Sequence, residues 1–592
     1  MSTRLRLDDT AWTQDGCPVW LEGRSDRSAV LCLEPSGERV DLAPDCSIRA
    51  GVGYGGGDFT LHGRDLVFVP RGGALSRKRP GEAAKAIWPR FGASASPAIS
   101  PDGAWVLCIH SLDDLDVIAL APTDGSRWPV DLVRGADFYM QPTWHPDGTR
   151  IAWVEWDHPS MPWDGARLMV AELDLEKGRI LSPRQVAGAT DRPVLQPTWS
   201  PDGRQLAWIE SDGTSYRLQC VGLGNDLPRT LHISDGLLPP AWIQGIRVLA
   251  WNGPHRLWVL DSKNGEGRVL DIDLDGTVRE IDPGPYRAFS QISAHPSGGQ
   301  FLAIACAPDL PDRVVRWDGA WHEIAKSFPS TGGLLPDGRP VSWKDGQADV
   351  HGMLFTPKGA SRPSAGWPLL VNVHGGPTSA RTASFSPDTC FFTDLGWAVL
   401  EVNYRGSTGY GERYRQALAG RWGELDTFDC CQGARAMVSQ GIADPSRMAI
   451  KGGSSGGFTV LNALADHPGL FRAGISNYGV TDLVQLELTT HKFESRYLHS
   501  LVAPYPKEID LYRSRSPVNR GASIRDPLAV FQGADDKVVP PDQAERIVEA
   551  LKQAGIPHHY RVFDGEGHGW RRSETIQAYY QDLDAFLTKH VS

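Results

Sequence analysis

Six residues, Gly452-Gly-Ser-Ser-Gly-Gly457, constrain this chain more than any other stretch. The run Arg447-Met-Ala-Ile-Lys451 before them reads as a buried strand, and Phe458 to Ala465 after them reads as a helix. Strand, glycine-bounded serine and helix together make an elbow that holds a serine hydroxyl strained and exposed at a helix N-terminus. Glycine is needed on both sides, because a Cβ there would strike the neighbouring strand and helix. The pattern G-x-S-x-G fits in two registers, centred on Ser454 or on Ser455, and spacing alone does not choose. A glycine–serine linker is the bland alternative, and the apolar residues on both sides argue against it.

At 592 residues the chain exceeds one core, so two or more domains are expected. The net charge of −11 and the lack of a basic run argue against a nucleic-acid partner. Nine scattered cysteines, with Cys430 and Cys431 adjacent and no CxxC pair, suit neither a disulfide ladder nor a zinc site. Reduced thiols in a cytoplasmic protein are expected. The stretch Met1 to Asp9 has no signal-peptide apolar core, and no segment approaches the length of a membrane span. No metal or cofactor is called for. A homo-oligomer is compatible with these numbers.

From the start to about residue 325 short alternating strands, tryptophans and Asp-Gly or Asn-Gly turns dominate. One element recurs: Ile99-Ser-Pro-Asp-Gly103, Trp144-His-Pro-Asp-Gly148, Trp199-Ser-Pro-Asp-Gly203 and the weaker Ala294-His-Pro-Ser-Gly298. Two copies share a longer phrase, Gln141-Pro-Thr-Trp and Gln196-Pro-Thr-Trp. The prolines lie about 45, 55 and 95 residues apart, a period that strands alone fill in a β-propeller. Each copy reads as strand, turn, strand: Pro sets φ, Asp caps, and Gly takes the positive φ. About seven blades are expected. Asp271-Ile-Asp-Leu-Asp-Gly276 imitates a calcium loop but reads as a hairpin turn between strands. Gly53-Tyr-Gly-Gly-Gly57 lacks the ending of a phosphate loop and reads as a tight bend.

The Gly- and Pro-rich stretch Ser327 to Arg339 separates this half from one in which strands alternate with helices, the signature of a mostly parallel sheet covered on both faces. A boundary near residue 330 gives a propeller over 1–330 and an α/β-hydrolase domain over 331–592. There, the apolar strand Pro368–Val373 runs into His374-Gly-Gly-Pro377, whose backbone N–H groups can face a small anion. Pro527–Gly533 ends in Ala534-Asp-Asp-Lys-Val-Val-Pro540, and Arg561–Phe563 leads to Asp564-Gly-Glu-Gly-His-Gly569. The order serine, aspartate, histidine, each at a strand's carboxyl end, is that of an α/β-hydrolase. His568 would take the serine's proton and return it to the leaving group, and Asp535 would orient the imidazole. Asp536 could be the orienter instead, with Asp535 a cap.

These stretches, with Asn403-Tyr-Arg-Gly-Ser-Thr-Gly-Tyr-Gly411 and Thr490-His-Lys-Phe-Glu-Ser-Arg-Tyr497, resemble the prolyl oligopeptidase family of serine peptidases, in its acylaminoacyl-peptidase and dipeptidyl-aminopeptidase-like branch. The resemblance selects Ser454 as nucleophile, with the Ser455 N–H as an oxyanion donor, and selects Asp535. It implies a second oxyanion donor at Gly376, or Gly375 in its place. His374 stands where related enzymes carry a tyrosine. By the same resemblance Lys537 grips a substrate carbonyl and Val538 lines the pocket for the side chain before the cut, joined by Tyr478, Val480 and Trp570. The propeller would cap the site and admit only short or unfolded peptides.

The expected activity is hydrolysis of amide bonds near the N-terminus of short peptides, through an acyl-enzyme. An esterase or amidase acting on a small acylated or peptide-like metabolite, such as an antibiotic, would use the same residues. From another class, a propeller interaction protein with an inactive hydrolase domain is excluded only if the three side chains act together.

Overall fold

The computed structural model describes residues 5–222, 224, 227–328, 335–346 and 348–591. Strands between Arg6 and Lys326 form seven four-stranded antiparallel sheets, each a meander of consecutive strands. These are the blades of the expected propeller. In the four repeat turns Gly103, Gly148, Gly203 and Gly298 take φ of 73°, 74°, 71° and 74°, and each N–H closes the turn on the carbonyl three residues earlier. They fall in blades three, four, five and seven, so the doubled last gap skips blade six. The Asp271 stretch forms a hairpin between Glu266–Asp273 and Val278–Ile281.

Large indoles fill the space between blades. Trp20, Trp153, Trp208 and Trp258 occupy the second strands of blades one, four, five and six and are fully buried. A buried indole N–H needs an acceptor. Trp153 and Trp208 donate to the glutamate two residues on, Glu155 at 2.8 Å and Glu210 at 3.0 Å.

Among the described residues the ring closes without strand exchange. Arg6–Trp12 pairs with Pro18–Gly23 in its own blade, not with the last one. The seam between first and last blades is instead made by side chains. The Thr10 hydroxyl donates to the Gln291 carbonyl at 2.6 Å, and the Trp12 indole to the Ser293 carbonyl at 3.0 Å. Arg247 pairs with Asp9 and the Thr10 carbonyl, and one backbone bond joins Leu5 to Ser327.

The second half builds an eight-stranded sheet from Asp337–Lys344, Asp349–Thr356, Trp367–Val373, Ala398–Asn403, Ala443–Gly453, Ala473–Asn477, Leu528–Gly533 and His558–Phe563. In space the fourth strand lies between the second and the third, and the rest follow chain order. The first two pairings are antiparallel and all later ones parallel. The central strands are buried along their length, as a sheet covered on both faces requires. The last blade ends at Lys326 and the hydrolase sheet starts at Asp337; the expected boundary near residue 330 lies outside the described residues.

The two domains touch through buried polar contacts. Arg415 pairs with Asp164 at 2.6 Å, the Tyr216 hydroxyl donates to Glu412 at 2.8 Å, and Lys492 pairs with Asp116 at 3.1 Å. Among the described residues no helix is long and apolar enough to cross a membrane.

Candidate active site

The elbow is as tight as the glycines require. A Cβ on Gly452 would lie 2.4 Å from the Gly456 backbone, one on Gly456 2.5 Å from the Val373 carbonyl, and one on Gly457 2.6 Å from the Gly479 Cα. Ser454, between the strand ending at Gly453 and the helix Ser455–Asp466, is held at φ 56° and ψ −125°. A left-handed φ is uncommon for serine and marks stored strain. Its N–H donates to the Asn477 carbonyl at 3.0 Å, and its carbonyl accepts from Val480 N–H at 3.3 Å. Ser454 is half-buried, while Ser455 is buried.

At the far end of the sheet the histidine loop meets the aspartate loop. His568 Nδ1 lies 2.7 Å from Asp536 Oδ2, and Asp536 is buried. The other Asp536 oxygen accepts the N–H groups of Val538 at 2.9 Å and Val539 at 3.0 Å, so the carboxylate is locked by three bonds. This corrects the expectation for Asp535. That side chain is exposed, and only its backbone joins the loop, donating to the Glu566 carbonyl at 2.9 Å. The turn after Gly533 points successive side chains to opposite sides, and the second aspartate is the one turned inward. Glu566, which sequence reasoning missed, is buried and accepts the N–H groups of Arg571 and Arg572, pinning the chain beyond His568.

Ser454 and His568 line one cavity of about 640 Å³ at the domain interface. Ser455, Gly375, Gly376, Val538, Tyr478, Val480 and Trp570 line it too. Gly375 backs Ser454 directly: a Cβ on it would be 3.4 Å from the serine Cβ. The Tyr478 ring, at φ 38°, lies 4.6 Å from the His568 ring and 5.2 Å from Trp570. Lys537 is a second correction. It is exposed and is not among the lining residues, because its inward-facing neighbours Asp536 and Val538 turn it out to solvent. No hydrogen bond joins Ser454 to His568 among the described residues, where the Nδ1 side of the ring is held by Asp536; such contacts commonly tighten only once substrate is bound.

His374 does not face the cavity. It stacks on Tyr404 at 4.4 Å and its Nε2 contacts the Ser407 hydroxyl at 2.8 Å; burial pushes its pKa down to about 3, so it stays neutral. The cavity holds two charged features not anticipated individually. Lys451 pairs with Asp388 at 2.7 Å, which also accepts from the Tyr580 hydroxyl at 3.2 Å. Glu494 carries a carboxylate whose pKa is raised by burial; the Tyr54 hydroxyl bonds it, and Thr490 donates at 3.4 Å. The stretch Thr490–Tyr497 was the available signal: it brings Thr490, Glu494 and Tyr497 to the cavity wall.

A seven-bladed propeller seated on a hydrolase sheet, with a serine elbow at their interface, defines a propeller-capped serine hydrolase. The profile of the prolyl oligopeptidase family matches residues 383–592. A puromycin-hydrolysing peptidase of Mycobacterium tuberculosis superposes with a TM-score of 0.92 at 32% identity, over all of this chain and 95% of that one. Dipeptidyl aminopeptidase BIII of Pseudoxanthomonas mexicana is 32% identical over 410 residues, 66% of this chain and 58% of the relative. Acylamino-acid-releasing enzyme 1 of Oryza sativa subsp. japonica is 25% identical over 452 residues, 67% of this chain and 58% of the relative. The chain thus spans less than two thirds of the length of these two curated relatives. It belongs to the prolyl oligopeptidase family.

Proposed function

We propose that this protein is a serine aminopeptidase that releases residues from the free N-terminus of short peptides or peptide-like amides. One observation carries the reading: Ser454, His568 and the desolvated Glu494 carboxylate line the same cavity. Glu494 is half-buried, and the imidazole 3.9 Å from it, His491, has its own pKa pushed down by burial, so the carboxylate lacks a full cation unless a ligand supplies the charge. A substrate's free α-ammonium does so, and an acylated N-terminus does not. The relatives' names, a dipeptidyl aminopeptidase, an acylamino-acid-releasing enzyme and a puromycin-hydrolysing peptidase, leave this choice open, and Glu494 favours the free amine.

In this proposal Ser454 Oγ attacks the carbonyl carbon while His568 Nε2 takes its proton. The N–H groups of Ser455 and of Gly376 or Gly375 receive the negative charge that develops on the carbonyl oxygen. The C–N bond then breaks, the leaving amine takes the proton from His568, and water releases the acyl group by the same steps in reverse roles. Asp536, not Asp535, holds the imidazole in the required tautomer. An amidase acting on a peptide-like antibiotic is the second reading, favoured by the full-length match to a puromycin-hydrolysing peptidase. A reducing, cytoplasmic setting suits the buried free thiols of Cys17, Cys32, Cys108, Cys220, Cys430 and Cys431.

The test is a panel of free and N-acetylated aminoacyl anilides, dipeptidyl anilides and simple esters, run beside stoichiometric labelling with an organophosphonate. Cleavage of the free-amine substrates, lost on acetylation, is expected. Equal cleavage of both forms would remove the aminopeptidase reading, and an unlabelled wild type would remove the hydrolase mechanism altogether.

A further inference from the structure

The glutamines of the repeated Gln-Pro-Thr-Trp phrase do not pack within their blades. Gln141, Gln196 and, at the matching place in blade seven, Gln291 sit at bulges of the innermost strands with φ of 53°, 51° and 53°, as does Ser96 in blade three with φ 49°. A bulge re-aims a side chain, and all four meet the same short segment, Gln244–Leu249, which leads into blade six. The Gln141 amide donates to the Ile246 carbonyl at 2.8 Å, and that of Gln291 to the Gly245 carbonyl at 3.2 Å. Gln196 accepts the N–H groups of Val248 and Leu249 at 2.6 and 3.0 Å, and donates to the Leu249 carbonyl at 2.7 Å. Ser96 donates to the Gln244 side chain at 3.0 Å, and Arg247 grips Asp9 of blade one.

The glycine bend before blade two completes the circle. Gln244 N–H donates to the Gly55 carbonyl at 2.8 Å, and a Cβ on Gly56 would come within 2.3 Å of the Gln244 carbonyl. A segment bonded to the inner edge of blades one to five and seven, and continuous with blade six, can lie only on the ring's axis. Its leading end projects toward the hydrolase domain. Trp242 donates to the Thr378 carbonyl at 2.7 Å and lies against Gly376, where a Cβ would be 3.4 Å from the indole. Ile243, an apolar side chain 40% exposed, lines the active-site cavity together with Trp242 and Tyr54.

We infer that the propeller selects substrate through this plug and not through a pore. The segment Trp242–Leu249 closes the axis, substrate reaches Ser454 sideways between the domains, and Trp242 and Ile243, with Tyr54, form the wall that stops its N-terminal end. The inference rests on the proposed peptidase reading of the Ser454 cavity. It gives the expected cap that admits only short peptides a fixed wall, and it gives the repeated glutamines a role: they hold the plug, and through it the wall.

The experiment compares kcat/KM on aminoacyl, dipeptidyl and tripeptidyl anilides that share the residue before the cut. Wild type should lose about tenfold or more between the first and the last, and Trp242→Ala and Ile243→Ala should each raise the tripeptidyl-to-aminoacyl ratio by about tenfold, the scale at which a pocket wall discriminates. Gln196→Ala, remote from the cavity, should raise the same ratio by a smaller factor; a general loss of stability would lower both rates and leave the ratio alone. A wild type indifferent to length, or an unchanged ratio in both wall variants, overturns the wall. A ratio moved by the wall variants but not by Gln196→Ala overturns the plug's part in holding it. Organophosphonate labelling of each protein separates these outcomes from failure of the peptidase reading, which would appear as an unlabelled wild type.

Discussion

Asp536 holds His568 Nδ1 at 2.7 Å, whereas Asp535, one residue earlier, faces solvent. The proposed orienting role therefore separates two adjacent, identical side chains. Asp536→Asn should lower kcat by about 10⁴-fold, because an amide favours the wrong imidazole tautomer while leaving the loop's shape intact. Asp535→Asn should change it by less than about twofold, in keeping with an exposed surface substitution. Steady-state rates on any cleaved anilide decide between them, and equal losses would return the assignment to an open pair.

Glu494→Gln keeps the shape of the side chain and removes its charge. A hydrogen bond to a charged group is worth about 1.5–3 kcal/mol, so kcat/KM on free-amine substrates should fall by about 10- to 100-fold. Activity on N-acetylated or ester substrates should hold or rise. A parallel loss on all substrates would assign Glu494 to the framework of the pocket instead.

His374 supplies a pH signature. Burial lowers its folded pKa to about 3 from an unfolded value near 6.5, so below pH 6.5 the unfolded chain binds a proton that the native state refuses. Stability from this group is complete above about pH 6.5 and is lost as pH falls toward 3, by up to about 1.4 kcal/mol per pH unit. The buried carboxyls of Asp9 and Asp426, each raised to about 6, act in the opposite sense. Denaturant unfolding at pH 7, 5.5 and 4.5 should therefore show a shallower loss on acidification in His374→Gln than in wild type.

Gly456→Ala tests the elbow's crowding. Its Cβ would meet the Val373 and His374 carbonyls at 2.5 and 2.9 Å, and backbone at the centre of a sheet cannot step aside. A loss of about 2–3 kcal/mol in unfolding free energy is expected, the upper range for overpacking. A thermal midpoint within error of wild type would show that the strand and helix have room.

The sequence carried the large-scale plan because both halves are written in short-range rules. Pro-Asp-Gly turns sit between alternating strands, and Gly-Gly-Ser-Ser-Gly-Gly sits between a strand and a helix. Blades one, two and six were not read individually because they lack such a turn, and in blade two the strands are also short, ending with the two residues Lys85–Ala86. Asp535 and Asp536 could not be separated, since a one-residue difference in which way a loop side chain faces is fixed by the loop's own backbone bonds. Lys537 was misjudged for the same reason. Glu494 and the plug were illegible because their meaning lies in partners far along the chain: Tyr54 for one, and Gln141, Gln196 and Gln291 for the other.

The side-chain seam between first and last blades has a mechanical corollary. A wheel whose rim is not welded keeps its shape only while its hub is gripped, and here Arg247 on the axis clasps Asp9 and Thr10 at the free end of the rim. Tension that parts the Leu5–Ser327 bond and the first residues of Arg6–Trp12 would next reach the hub at Asp9 and Thr10, a few residues from Trp242, so a tether there would come to bear on the ceiling above the serine.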